Sequence, residues 1–300
     1  MTASFAPSTT GFTFEHITII GNAQGDVTPA AQGYTITFNG TYIDHPKVIN
    51  ICNGPYAKSD KSFVVTNSPD NTWFENQLEE VAKQIEPQIG CWPSTGLVTV
   101  ILMSLLSKHV DVQCMALLPS LTRQTDMQPS QHLLCVVHNW LGERRIALGL
   151  ALTQDNIHWP ELYLSPHMIA EDEQRTQAMA DANMEIADPF ELLHKITRKS
   201  EAPAAMMYTF QTSIFKQLAN LSSHIWLTAA STKSIKQVET MFAHPQAETQ
   251  ASPWYLTDPR INSCLDPIRH HLAYCQQLIA IASAQTNSQS HSRPHTNKPE

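Results

Sequence analysis

The sequence predicts an α/β fold, a Rossmann-like and mostly parallel sheet with a C-terminal helical region. Three observations carry that expectation. Short β-branched runs recur through the first half and end in loops bearing Asn and Gly. Helical patterns are interleaved with them, as parallel sheets require. Beyond about Tyr163 the apolar residues fall at steps of three and four, the period of a buried helix face. The implied division is a polar leader over 1–15, an α/β domain over 16–162, a helical region over 163–284 and a disordered tail over 285–300.

Each element has a local reason. Ile17-Thr18-Ile19-Ile20 stops at the turn-rich Gly21-Asn22-Ala23-Gln24-Gly25-Asp26. Tyr34–Phe38 stops at Asn39-Gly40, Val48–Cys52 at Asn53-Gly54-Pro55, and Phe63–Thr66 at Asn67-Ser68-Pro69-Asp70. These are four strands. A helix follows over about Trp73 to Ile85, with Glu79, Glu80 and Lys83 on its wet side. Pro93 and Ser94 then open the apolar helix Leu97 to Leu106, where Ser94 or Thr95 can cap the free amides. Further strands are predicted over Val112 to Leu118 and Leu133 to Val137, the second delivering His138 at its C-terminal end. In the helical region the pattern predicts helices over 168–183, 189–199 with Asp188 as cap, 203–227, 231–242 and 267–284.

Composition narrows the classes of function. The chain has 300 residues, 42% hydrophobic, enough for one large core or two smaller ones. A formal charge of -8 and no large Lys/Arg cluster argue against a nucleic-acid partner. The start of the chain lacks a basic and apolar leader, and the run Leu97 to Leu106 is too short to span a bilayer, so a cytoplasmic protein is expected. The six cysteines form no C-x-x-C pair and the histidines are scattered, so neither a disulfide framework nor a metal site is expected. The loop after the first strand is not G-x-G-x-x-G, and no G-K-[ST] occurs, which disfavours dinucleotide and P-loop enzymes.

Candidate site residues follow from where ligands bind on parallel sheets, outside the carboxyl ends of the strands. Asn22, Asn39 and His138 fall there, and Ser94, Thr95 and Gly96 open a helix whose amides suit an anion. His138 is the candidate general base, since imidazole titrates near neutral pH. Glu143 lies five positions on; in a straight helix it would not share a face with His138, so a direct hydrogen bond between them requires a turn, which Gly142 would allow.

These stretches resemble motifs of the sialyltransferase superfamily, which transfers sialic acid from its CMP-activated form. Ile19-Ile20-Gly21-Asn22 is similar to the start of the family's large motif and Ile36-Thr37-Phe38-Asn39 to its later part. Pro93-Ser94-Thr95-Gly96 with the following apolar helix and Val110-Asp111-Val112 resembles the small motif, and His138 with Glu143 fits His-x4-Glu. The resemblance covers about Ile17 to Arg145. It implies a metal-independent CMP-sugar glycosyltransferase, bacterial-type and cytoplasmic, acting on a glycan or small acceptor. Its donor is sialic acid or a related acidic sugar such as Kdo, His138 and Glu143 are catalytic, and Asn22, Asn39, Ser94, Thr95 and Gly96 bind the nucleotide. The His-Tyr-Tyr type motif is missing, with only Gln131-His132 nearby. That departure supports an alternative, a non-catalytic relative that binds a nucleotide, or a protein partner through its helical half. A third expectation is an unrelated α/β enzyme that uses His138.

Overall fold

The computed structural model describes residues 12–28, 33–41, 43, 45–122, 127, 133–165, 188–198 and 205–291. The β-branched runs form strands Ile17–Ile20 (β1), Tyr34–Phe38 (β2), Val48–Asn53 (β3) and Phe63–Thr66 (β4), as their composition predicts. With Val110–Gln113 (β5) and Ile157–His158 (β6) they make one open sheet in the order β4-β3-β2-β1-β5-β6. Every neighbouring pair is parallel except β3 with β4. That pair is antiparallel because the short helix Gly54–Ala57 (α1) returns the chain directly, with Asn53 capping the turn.

Successive strand residues point to opposite faces, and here the faces differ. Ile17, Ile19, Ile36, Phe38, Ile49 and Ile51 are buried in one cluster with Phe74, Leu78, Leu97 and Ile101 of the two helices that follow β4. The alternate positions carry Thr18, Thr35 and Thr37, with Thr18 opposite Thr35 and the Asn50 amide bonded to Thr37. The first of the two helices is Asn71–Ile89 (α2), capped by Asp70 and ended by Gly90 in the left-handed region at φ 77°. The second is Thr95–Leu106 (α3), whose N-cap is Ser94.

Three sequence expectations are corrected here, and two further features go beyond the sequence reading. Leu133–Val137 is not a strand, because Leu134–Val137 forms a 3₁₀ turn. The Val136 carbonyl is taken by the His244 amide and the Cys135 carbonyl by the Trp140 indole. With β6 already paired to β5, no sheet edge receives this segment. The strand read as Val112 to Leu118 starts earlier and stops at Gln113, since Cys114 and Leu117 adopt positive φ. A helix, Trp140–Ala151 (α4), directly follows His138 and Asn139. The stretch 203–227 is two helices, Ala205–Ala219 (α6) and Ser223–Ala229 (α7), because Ser222 caps a fresh start. Within the polar leader, Phe14 is buried and its backbone bonds to Leu106 and Lys108 across the sheet's start.

The rest of the helical region follows the pattern more closely. Pro189–Thr197 (α5) begins at Asp188, whose carboxylate accepts the amides of Phe190 and Glu191. Thr232–Val238 (α8) starts in a capping box of Ser231 and Ser234. Trp254–Thr257 (α9) precedes Pro259–His291 (α10), which continues past Ala284, where the sequence predicts order to end. The helix expected over 168–183 and residues 292–300 of the tail lie outside the described residues. No helix among the described residues is long and apolar enough to cross a membrane.

Candidate functional site

The strand order changes direction at β1, which has β2 on one side and β5 on the other. Such a switch opens a crevice at the carboxyl ends of the strands. Gly21 stands at its floor: its amide donates to the Gln113 carbonyl, and a Cβ there would lie 2.2 Å from the Cys114 carbonyl oxygen. Only glycine lets the segments leaving β1 and β5 meet this closely. α3 leads into the start of β5, so its N-terminus lies at this same carboxyl edge. Two contacts agree: the Met115 side chain, just past β5, sits 3.0 Å from where a Gly96 Cβ would be, and Trp92 stacks on Phe63 at 6.2 Å.

Five residues gather around Ser94, of which Glu143 and Asn139 are buried and the others partly so. Glu143, fully buried in the first turn of α4, accepts the Ser94 amide at 2.8 Å and the Ser94 hydroxyl at 2.5 Å. Its carboxylate therefore engages the amide and hydroxyl of the residue that caps α3. His138 Nδ1 lies 3.2 Å from the Trp92 carbonyl oxygen and 3.7 Å from Glu143 Oε1. A carbonyl oxygen only accepts, so Nδ1 carries the proton and Nε2 is the basic nitrogen. The imidazole is a quarter exposed and lies edge-on to Trp140 at 5.1 Å. Asn139 completes the group: its oxygen caps α4 at Gly142 and its nitrogen donates to the Ile89 carbonyl, tying α4 to the end of α2.

Burial dominates the electrostatics. It pushes the Glu143 carboxyl up to about 7, against the opposing pull of the two Ser94 hydrogen bonds. It lowers His138 below the ordinary histidine value, against the opposing bond to Trp92. The imidazole is thus held neutral, with one nitrogen fixed and the other available. Cys91, beside them, is a buried thiol pushed up to about 11 by desolvation, which makes it an inert wall residue.

His138 and Glu143 approach to 3.7 Å, longer than a direct hydrogen bond, without sharing a helix. His138 is extended at φ -107° and ψ 146°, one residue before the N-cap, so helix-face spacing does not apply to it. Asn22 and Asn39 lie at the same sheet edge, after β1 and β2. Asn22 accepts the Thr41 hydroxyl, while Asn39 adopts left-handed φ 52° and its oxygen accepts the Asn53 amide. Neither is hydrogen-bonded to Ser94, His138 or Glu143 among the described residues. Thr95 is half-buried and Gly96 is covered by Met115. Sequence reasoning missed Trp92 and Asn139. Asn139 had a readable signal, an Asn ahead of an acidic first turn, which the strand assigned to Leu133–Val137 obscured.

No group of three or more His, Cys, Asp or Glu among the described residues is arranged to hold a metal ion. No protein-family model matches the chain, and neither a curated protein nor a solved structure matches it.

Proposed function

We propose that the chain is a glycosyltransferase that takes sialic acid or a related acidic sugar from a CMP-activated donor, with His138 as general base and no metal ion. The observation that carries the reading is the fixed tautomer of His138: Nδ1–H is held by the Trp92 carbonyl beside Glu143, and burial keeps the ring neutral. In this reading Nε2 takes the proton of the acceptor hydroxyl as its oxygen attacks the anomeric carbon. The bond from that carbon to the phosphate oxygen breaks, and its electron pair leaves with CMP. Glu143 stabilises the imidazolium formed, as a buried carboxylate behind a catalytic histidine does. Asn22, Asn39 and the start of α3 at Thr95 and Gly96 lie at the sheet edge where the nucleotide would bind.

One observation favours the second reading, a non-catalytic nucleotide-binding relative. The Ser94 amide and hydroxyl, which would hold donor oxygens, are both engaged by Glu143. Calorimetric titration with CMP, UMP and AMP, followed by CMP release from CMP-sialic acid, separates the readings. Selective CMP binding is expected, with release about 100- to 10,000-fold slower in His138→Ala and CMP affinity little changed. Binding without turnover in the wild type would favour the non-catalytic reading. Indifference to every cytidine nucleotide would overturn both.

A further inference from the structure

Every polar group of Ser94 is already engaged inside the protein. Its amide donates to Glu143 Oε1 at 2.8 Å and its hydroxyl to Glu143 Oε2 at 2.5 Å, so one residue supplies a donor to each carboxylate oxygen. The hydroxyl oxygen accepts the Leu97 amide at 3.3 Å, and the Ser94 carbonyl accepts the Val98 amide at 3.2 Å. Both side chains are buried. No other hydrogen bond reaches the Glu143 carboxylate among the described residues.

Hydrogen bonds donated to a carboxylate favour its ionised form, whereas burial favours the neutral one. The two oppose at Glu143, where desolvation raises the carboxyl to about 7 against the pull of Ser94. Other charges near the first turn of α4 are spent elsewhere. His138, 3.7 Å from Glu143 Oε1, is the one basic side chain in ion-pair reach of it among the described residues. α3 carries no titratable residue. In the loop before α3, Cys91 is a neutral thiol that feels Glu86 of α2 as well as Glu143. Arg144 is turned to the Ala116 and Leu162 carbonyls, while Arg145 and Lys236 pair with Glu239. α10 meets α4 here with Gln276, which donates to the Leu141 carbonyl.

We propose that Ser94 is a positioning residue that acts through Glu143: its two donors hold the carboxylate ionised and fixed beside His138 Nδ1, and it does not contact the nucleotide. An ionised carboxylate at that place favours the imidazolium that forms when Nε2 takes the acceptor's proton, and a neutral carboxyl does not. Glu143 is ionised before the transfer and stays so, while His138 gains the proton. The effect of Ser94 on rate rests on the reading of His138 as general base; its effect on Glu143 does not.

CMP release from CMP-sialic acid by the full chain, followed across neutral pH, tests the effect on rate. The wild-type rate should rise as Glu143 loses its proton, at about pH 7. In Ser94→Ala, loss of one hydrogen bond to the carboxylate should move that rise up by about one to two pH units, with donor KM little changed and the rate recovered at high pH. Ser94→Thr, which keeps the hydroxyl, should move it back. A loss expressed in donor KM and equal at every pH would mean that Ser94 binds the nucleotide, and would overturn the proposal. NMR of isotope-labelled glutamate carboxyl carbons, with Glu143 assigned from the spectrum of Glu143→Gln, gives a second readout. The Glu143 midpoint should rise in Ser94→Ala, and an unchanged midpoint would equally overturn it. If Ser94→Ala does not fold, the wild-type Ser94 amide decides the matter: its proton signal should move with the Glu143 midpoint, and an unmoved signal would count against the pair. A wild type that releases no CMP at any pH would overturn the transferase reading and the rate effect with it, while the carboxyl titration still decides whether Ser94 keeps Glu143 ionised.

Discussion

The sheet half and the helical half of this molecule bury their residues by different rules. Under α2 and α3 the core is aliphatic and aromatic, and in the sheet itself only the Thr35 hydroxyl is buried without a partner among the described residues. Between α6, α7 and α10 the core is built around Phe215, Trp226 and Trp254. It also encloses Asn262, Arg269, Gln276 and Gln277. Several polar atoms there have no partner among the described residues, among them Trp226 Nε1, Asn262 Oδ1 and Gln276 Oε1. α4 joins the two, and three consecutive residues show how: Glu143 bonds Ser94 on the sheet side, Arg144 holds the loop after β5, and Arg145 pairs with the buried Glu239 beside α8. The contrast separates a half that derives stability from dry packing from one whose stability depends on how its polar groups are satisfied.

The largest effect should come from breaking the dry core. Phe74 is fully buried, edge-on to Trp73 at 4.9 Å and near Phe14. Phe74→Ala should cost about 3 to 5 kcal/mol, the range for a large aromatic removed from a close-packed site. Denaturant unfolding reads this as a lower midpoint at unchanged slope, and a loss below about 1 kcal/mol would show that the sheet core is loosely packed.

The junction should show itself as a dependence on pH. Because burial raises Glu143 from the ordinary carboxylate value of 4.5 to about 7, the folded state binds its proton more tightly than the unfolded chain. Its contribution is therefore fully present below about pH 4.5 and is lost as pH rises towards 7. Each tenfold difference in proton affinity between the two states corresponds to about 1.4 kcal/mol, so the swing is on the order of 3 kcal/mol. Glu143→Gln should flatten the stability profile over that window. A slope unchanged by the substitution would mean that Glu143 is ionised throughout and that its Ser94 bonds outweigh burial.

How much of this was legible follows from the range of the interactions. The first four strands are marked by β-branched runs closed by Asn and Gly, a local signal the fold confirms at Ile17–Ile20, Tyr34–Phe38, Val48–Asn53 and Phe63–Thr66. Leu133–Val137 carries the same composition, yet its fate is set by two distant partners, the His244 amide and the place β6 already holds beside β5. The proximity of His138 and Glu143 was readable only as a spacing. That Ser94 closes the group could not be read, because it lies 49 residues from Glu143 in sequence. Nothing local in Asn22 or Asn39 separates turn chemistry from ligand binding, and the geometry shows both serving turns or loop contacts.

A smaller effect should sharpen the boundary between the halves at two glycines of α4. A Cβ on Gly142 would lie 2.6 Å from Glu239 Oε1 and 2.8 Å from Asn139 Nδ2. Neither atom can yield easily, since Glu239 is pinned by Arg145 and Lys236, and Asn139 by the Ile89 carbonyl. Gly142→Ala should therefore cost about 1 to 2 kcal/mol despite its better helix propensity. At Gly149 a Cβ meets nothing within 4 Å, so Gly149→Ala should stabilise by about 0.5 to 1 kcal/mol. Equal shifts at both sites in parallel thermal melts would refute a tight junction at the first turn of α4.

The smallest effect should come from Trp226, at the centre of the helical half. Its ring is fully buried, edge-on to Phe190 at 5.2 Å and stacked on His271 at 5.9 Å, while its Nε1 is buried without a partner among the described residues. Trp226→Phe removes packing area and leaves a small cavity, which costs stability. It also removes an indole N–H that lost its water on folding, which returns stability, because an unmet buried donor costs about 1 to 3 kcal/mol. The two terms oppose, so the net change should be within about 1 kcal/mol of zero, well below that of Phe74→Ala. A loss as large as Phe74→Ala would mean that Nε1 is hydrogen-bonded, and that the helical core is as fully satisfied as the sheet core.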